Sequence, residues 1–417
     1  MSPAAVVTGI GVIAPTGVGT QAYWSTTLAG KSGIDRISRF DASRYPVRLA
    51  GEVVGFDPAA ELPGRLLPQT DRVTRFALAA GAWALDDAGI DPADLPEYGM
   101  GAVTASGSGG FEFAQHELEK LWSRGAEHVS AYQSFAWFYA VNTGQLSIRH
   151  GMRGPGGVLV TGQAGGLDAA ATARRRVRGG TGVVVTGAAD ASLCPWGFTH
   201  LLADGRLSRR DDPNRAYLPF DADACGHVVG EGGAFLVVED ADHAARRGRR
   251  GYGEIAGYGA TFDPPPDSGR EPGLRRAIET ALADAGAAPE DVDAVFADGA
   301  GHPDPDRAEC AAITGVLGAR ADRVPVTAPK AATGRMSCGG SAVDLATALL
   351  ALREGVVPPT ANVTRVPAEY GIDLVVGAPR PARLATVLVL ARGEGGFNSA
   401  LVLRAPARHM STDDEER

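Results

Sequence analysis

Short runs of apolar and β-branched residues alternate along this chain with Ala-rich stretches of helical period. Ala5 to Thr8 reads as a buried strand running into a Gly-rich turn, and Gln21 to Leu28 then takes helical spacing. Thr74 to Ala88 and Leu274 to Ala287 read as Ala-rich helices, each leading through a short polar loop into a strand. Between them Val158 to Thr161 is a predicted strand, Leu167 to Val177 a helix and Val183 to Thr186 a further strand. Strands in alternation with helices imply parallel or mixed sheets covered on both faces. After an Arg-rich connection, Arg246 to Arg250, a strand and Gly turn resume at Gly251 to Gly259 and the same plan repeats. The pattern predicts two similar halves, residues 1–250 and 251–407. The final stretch, 408–417 (RHMSTDDEER), has no apolar period and reads as a flexible tail.

Composition narrows the function classes. With 417 residues, 44% hydrophobic and 21% charged, the chain can bury a large core, which excludes a disordered chain or a disulfide-stapled scaffold. A net charge of −9 without an extended basic run argues against nucleic acid as partner. With no charged-then-apolar leader and no run of 18 apolar residues, the expectation is a cytoplasmic protein that does not enter a membrane. Cys194, Cys225, Cys310 and Cys338 lie far apart, and no Cys or His spacing suits zinc, so no metal is expected. The opening Gly9-x-Gly11 invites a nucleotide-binding reading, but no acidic residue follows a second strand at the right distance, and a tight turn after a core strand accounts for it.

The chemistry should centre on Gln163, in VTGQAGGLDAA. A residue at a sharp turn between a buried strand and a helix N-terminus faces a cleft, with backbone N–H groups nearby to hold an oxyanion. An amide is no nucleophile, however, so acyl transfer through Gln163 is excluded. It can donate and accept hydrogen bonds.

This stretch resembles the active-site elbow of thiolase-fold ketosynthases, where a Cys takes the place of Gln163. The resemblance covers nearly the whole chain: VVTGIGVIAPTG at the start, Asn142 to Pro155, Leu218 to Glu239, PKAATGR (Pro329 to Arg335) and GFNSALVL (Gly396 to Leu403) all match. It implies an α/β thiolase-like fold, two similar halves in layered α-β-α-β-α architecture. The family's two catalytic histidines correspond to Asp298 in ADGA and Arg335 in TGR, and neither an anion nor a permanent cation reproduces a neutral imidazole. With Gln163, Asp298 and Arg335 in place of Cys, His and His, the chain is similar to one branch, the chain length factor or ketosynthase β subunit of type II aromatic polyketide synthases. The resemblance implies a non-catalytic subunit that pairs with a catalytic ketosynthase to elongate a poly-β-ketone from malonyl units on an acyl carrier protein. No cofactor binds directly; phosphopantetheine arrives on the carrier. An alternative is an autonomous malonyl-carrier decarboxylase using Gln163, since the family links that position to priming.

Phe111, Ala114 and Leu118 share a helical face with Leu121 and Trp122, while Glu112, His116 and Glu119 face away. By itself this is an ordinary core stripe. Under the resemblance these positions gate the product tunnel, with Trp196 a further gate or simply a wedge under a Pro-containing loop. A large Phe111, a small Ala114 and a medium Leu118 predict a decaketide or longer product. Phe135, Trp137, Phe138, Tyr139 and Asn142 fall in the family's dimer-contacting segment, and a strand near Gly182 to Thr186 is expected to pair across that dimer. Lys330 and Glu309 match a structural ion pair. His302 reads as a loop histidine, and Cys338, outside the elbow and without an obvious His base, is not read as the nucleophile. Arg174 to Arg178 and Arg246 to Arg250 read as solvated faces or as docking points for an acidic carrier protein.

Overall fold

The computed structural model describes residues 3–406, so the expected tail at 408–417 and the last residue of the second half lie outside the described residues. The apolar runs form one mixed sheet of twelve strands, ten of them in two sets of five in the same order; the short strands Gly17–Val18 and Asp373–Leu374 are added at Ala5–Ala14 and Pro325–Thr327. The first set is β1 (Ala5–Ala14), β2 (Met100–Ala105), β3 (Gly156–Leu159), β4 (Val183–Asp190) and β5 (Gly232–Asp240), ordered β1-β5-β4-β2-β3. The second is β6 (Gly253–Phe262), β7 (Ala294–Phe296), β8 (Pro325–Thr327), β9 (Thr386–Arg392) and β10 (Phe397–Arg404), ordered β6-β10-β9-β7-β8. In each set three strands run parallel and one antiparallel strand joins them to the first. The sets meet where Val6 and Val7 pair with Glu254 and Gly253.

The helices that position the site are α1 (Arg72–Ala88), α2 (Phe111–Arg124), α3 (Val141–His150), α4 (Gly165–Arg178) and α5 (Pro195–Leu202) in the first half. The second half contributes α6 (Leu274–Ala285), α7 (Pro303–Leu317) and α8 (Cys338–Glu354). Helices α4 and α8 pack on each other and on both sets of strands, and α8 is buried from Cys338 to Leu352. Outside them α1 covers β1 and β5, and α6 covers β6 and β10. This is the layered thiolase-like architecture: a helix buried all round sits in the middle, and amphipathic ones cover the faces.

The Gly9-x-Gly11 pair is not in a turn. Strand β1 continues through it to Ala14, and a Cβ on Gly9 or Gly11 would lie 2.0 Å from the carbonyl oxygen of Ala84 or Ala80 on α1. Gly257 and Gly259 do the same on β6, where a Cβ would lie 2.1 Å from the oxygens of Ala281 and Ala277 on α6. In both halves the glycines let an outer helix rest directly on the sheet.

One expectation about assembly is corrected here. Strand β4, which contains Val183 to Thr186, lies between β2 and β5 with both of its edges paired, so it cannot pair across a dimer. The edge of the first set is β3, and among the described residues nothing pairs with its outer side.

Candidate functional site

Strand β3 ends at Leu159 and α4 starts at Gly165; a single 3₁₀ turn, Gly162–Ala164, holds Gln163 between them. Gly162 sits at φ 54°, the left-handed conformation that permits the reversal. With its amide oriented to suit both partners, Gln163 donates from Nε2 to the Ser337 carbonyl at 2.9 Å and accepts from the Ser337 N–H at 3.1 Å. Ser337 immediately precedes α8 and is itself left-handed, at φ 47°. The side chain at the elbow therefore fastens the start of α4 to the start of α8. A second tie missing from the sequence reading runs through Asp190, which accepts from the N–H groups of Gly107 and Cys338, each at 2.9 Å.

Asp298 and Arg335 meet each other. Arg335 Nη1 donates to Asp298 Oδ2 at 3.0 Å, and Nη2 donates to the Arg392 carbonyl at 3.3 Å. Burial pushes the Asp298 carboxyl up, but Arg335 and Lys330 outweigh it and hold the group below the ordinary carboxylate range. Burial likewise works against the Arg335 charge, and Asp298 again prevails. His227, beside Arg335, is driven down to about 3 by burial first and by the guanidinium second, so it is neutral.

The expected pair between Lys330 and Glu309 does not form. Both Glu309 oxygens are occupied by backbone, accepting from Asp298 N at 2.7 Å and Gly299 N at 2.9 Å. Lys330 instead lies 3.7 Å from Asp298 and in direct contact with Asp344 on α8, and it donates to the Ala297 carbonyl at 3.3 Å. Asp344 was missed in the sequence, although one aspartate inside the apolar run GGSAVDLATALLAL is a usable sign of a buried cation. Burial raises Asp344 to about 6 even against the pull of Lys330, and burial with the nearby Asp298 charge raises Glu309.

Two cavities flank this cluster. One of about 260 Å³ is lined by Gln163, Ser108, Ser192, His200, His227 and Ser337, and the other, of about 720 Å³, by Asp298, His302 and Arg392 among others. Arg335 lines both and stands between them. His302 stands in a loop at the N-cap position of α7, and its side chain makes no capping hydrogen bond. Cys338 is fully buried at the start of α8, its thiol pushed up by burial and then by Asp190, which makes it inert.

Helix α2 brings Phe111 to Trp196, with ring centroids 4.8 Å apart at 67°, and to His200, stacked at 5.8 Å and 17°. Ala114 is buried and Leu118 half-buried on the same face. Trp122, expected to share that cover, is 84% exposed, while Leu121 beside it is half-buried. Glu112, expected to face away, bonds Arg39 at 2.5 Å. Periodicity identifies a face but not the length over which it is covered.

Trp137, Phe138 and Tyr139 are exposed and Phe135 is half-buried. Asn142 is 1% exposed, and neither of its amide atoms has a hydrogen-bond partner among the described residues. Two further exposed apolar residues that the sequence reading missed are Ile148 on α3 and Val160 just past the edge strand β3. Of the basic groups, Arg174 is buried against Asp284 at 2.6 Å and is structural, while Arg175 and Arg176 are exposed. Arg247 is held by Glu239 at 2.8 Å. Among the described residues no cluster could hold a metal ion and no helix is long and apolar enough to cross a membrane.

Comparison with known proteins fits this geometry. Models of the beta-ketoacyl synthase N-terminal and C-terminal domains match residues 3–244 and 252–364. The chain is 60% identical over 401 residues to the tetracenomycin polyketide synthase ketoacyl synthase beta subunit of Streptomyces glaucescens, covering 96% of this chain and 98% of that one. It is 58% identical over 400 residues to an actinorhodin polyketide beta-ketoacyl synthase 2 of Streptomyces coelicolor, with the same coverage. Among solved structures it is similar to the ishigamide ketosynthase/chain length factor (TM-score 0.87, 28% identity, 97% of this chain and 100% of that one). It is also similar to a type II polyketide synthase acyl-carrier protein in complex with its ketosynthase bound to the hexaketide (TM-score 0.86, 27% identity, same coverage). The chain belongs to the β-ketoacyl synthase family, on its type II polyketide ketosynthase β, or chain length factor, branch.

Proposed function

We propose that this chain is a non-condensing subunit that pairs with a catalytic ketosynthase in the cytoplasm and shapes the tunnel in which a poly-β-ketone grows from malonyl units on an acyl carrier protein. The observation that carries the reading is the state of the three condensing positions. Gln163 is bound to Ser337 and Asp298 is closed onto Arg335, so none of the three positions offers a nucleophile or a neutral imidazole to make a carbon–carbon bond. What the chain keeps is largely apolar: the row Phe111, Ala114, Leu118 with Trp196, and the exposed aromatics Trp137, Phe138 and Tyr139 with half-buried Phe135 and buried Asn142 in the same segment, together with the exposed Ile148 and Val160. We assign the first to the tunnel and the second to the ketosynthase contact. A small Ala114 between larger neighbours favours a decaketide or longer product. The division of the chain at residues 250/251 and the arrival of phosphopantetheine on the carrier, with no cofactor held here, complete the reading.

An autonomous malonyl-carrier decarboxylase finds no support. The Gln163 amide that would have to hold a thioester oxyanion already serves Ser337.

The deciding experiment is co-expression with a ketosynthase from the same biosynthetic set, with the purified complex sized by light scattering against two copies of this 43.0 kDa chain. A one-to-one heterodimer is expected. A stable homodimer that ignores the ketosynthase would overturn the assignment.

A further inference from the structure

The first turn of α2 is fixed by a residue from another helix. Asp71 is the N-cap of α1, its Oδ1 accepting from Val73 N at 2.8 Å, and its Oδ2 accepts from Phe113 N, also at 2.8 Å. One carboxylate, 2% exposed, thus caps two helices with one oxygen each.

Asp71 is well placed to act as a fixed point. The next residue, Arg72, is held by two bonds to the buried Glu231, at 2.9 and 2.7 Å, and Thr70 bonds back to the Leu66 carbonyl at 2.7 Å. The start of α2 is wedged between this point and the aromatic segment. A Cβ on Gly110 would lie 2.1 Å from the Ala136 carbonyl oxygen and 2.8 Å from Asp71 Cβ, and Gly110 N donates to the Trp137 carbonyl at 3.1 Å. Two further ties hold α2 to the stretch carrying Trp196: Arg39 bonds Glu112 at 2.5 Å and the Leu193 carbonyl at 3.2 Å, and Gln115 accepts from Trp196 N at 2.8 Å.

We propose that Asp71 is a positioning residue that sets the placement of Phe111, Ala114 and Leu118, and through them the length of the product. The inference rests on the tunnel reading of that row. Asp71 touches no substrate; it acts through the backbone of Phe113.

Replacement by asparagine separates the two caps. An amide has one carbonyl oxygen, so with that oxygen on Val73 N the α1 cap survives, while the NH₂ group is set against the Phe113 N–H, donor to donor. The test is the heterodimer carrying Asp71→Asn, supplied with malonyl-charged acyl carrier protein well below its melting temperature, with chain lengths read by mass spectrometry. Asp71→Ser, whose short side chain can cap only α1, is the second variant should the first not fold, and Ala114→Phe is the control for the tunnel itself. With total product nearly unchanged, the ratio of off-length to native-length product is expected to rise roughly fivefold to tenfold in Asp71→Asn. If Ala114→Phe shifts the length but both Asp71 variants give the native distribution, the positioning role is overturned and the tunnel reading stands. If Ala114→Phe shifts nothing, the tunnel reading falls and this inference with it.

Discussion

The charged cluster around Arg335 and the aromatic face around Trp137 are the two regions in which this chain departs most from an ordinary buried core, and they depart in opposite ways. In the first, Asp298, Arg335, Lys330 and Asp344 pair their charges inside a single chain. In the second, large apolar side chains stand in solvent and the buried amide of Asn142 has no hydrogen-bond partner among the described residues. In the charged cluster the side chains close on one another; in the aromatic segment they remain open to solvent.

The sharpest way to break that contrast is to unbalance the closed region. Lys330→Met leaves Asp298 and Asp344 facing each other without their shared cation, and should cost about 3–5 kcal/mol in urea unfolding of the purified complex. A loss under 1 kcal/mol would mean that the cluster relaxes or admits water.

The open region should behave in reverse. Trp137→Glu is expected to leave the secondary structure and thermal midpoint of the isolated chain close to wild type, yet weaken association with the ketosynthase by about 2 kcal/mol, roughly thirtyfold in Kd. Unchanged affinity in a titration by light scattering would place the contact elsewhere.

Gln163→Ala falls between the two. It removes both bonds to Ser337 and should destabilise by about 1–3 kcal/mol with product length unchanged. Loss of priming at undiminished stability would instead restore a chemical role to the amide.

The smallest effect is a pH slope. Burial raises Asp306 to about 6 from an ordinary 3.8, even though it accepts from Phe220 N and Gly301 N. Between those values the folded chain binds the extra proton, so this group's contribution is fully present below about pH 4 and is lost as the pH rises to about 6. Asp306→Asn should flatten that part of the profile of unfolding midpoint against pH; an unchanged slope would assign it to other buried acids such as Asp344.

Much of this was legible in the sequence. The alternation of strands and Ala-rich helices carries the layered plan, and the resemblance at VTGQAGG, ADGA and TGR singled out Gln163, Asp298 and Arg335, of which Gln163 and Arg335 line one cavity and Arg335 bonds Asp298. What was hidden depends on contacts distant in the chain. Gly9-x-Gly11 was read as a turn because a glycine pair does not announce the helix resting on it. Lys330 was paired with Glu309 because neither residue reveals that the backbone of Asp298 and Gly299 has already claimed that carboxylate. The edge of the sheet passed from the strand at Val183 to that at Gly156 because strand order is a property of the assembled sheet, and both runs look alike alone.

That edge has a consequence for the cell that makes the protein. A copy that finds nothing to cover β3 keeps a row of unpaired backbone groups open, with Ile148 and Val160 exposed nearby. Such a surface recruits any strand it meets, including the same strand of another copy. Synthesis of this chain in step with whatever covers that edge is then a matter of protein quality control as much as of biosynthetic yield, and surplus copies are the ones expected to be captured by chaperones, degraded or lost to inclusion bodies.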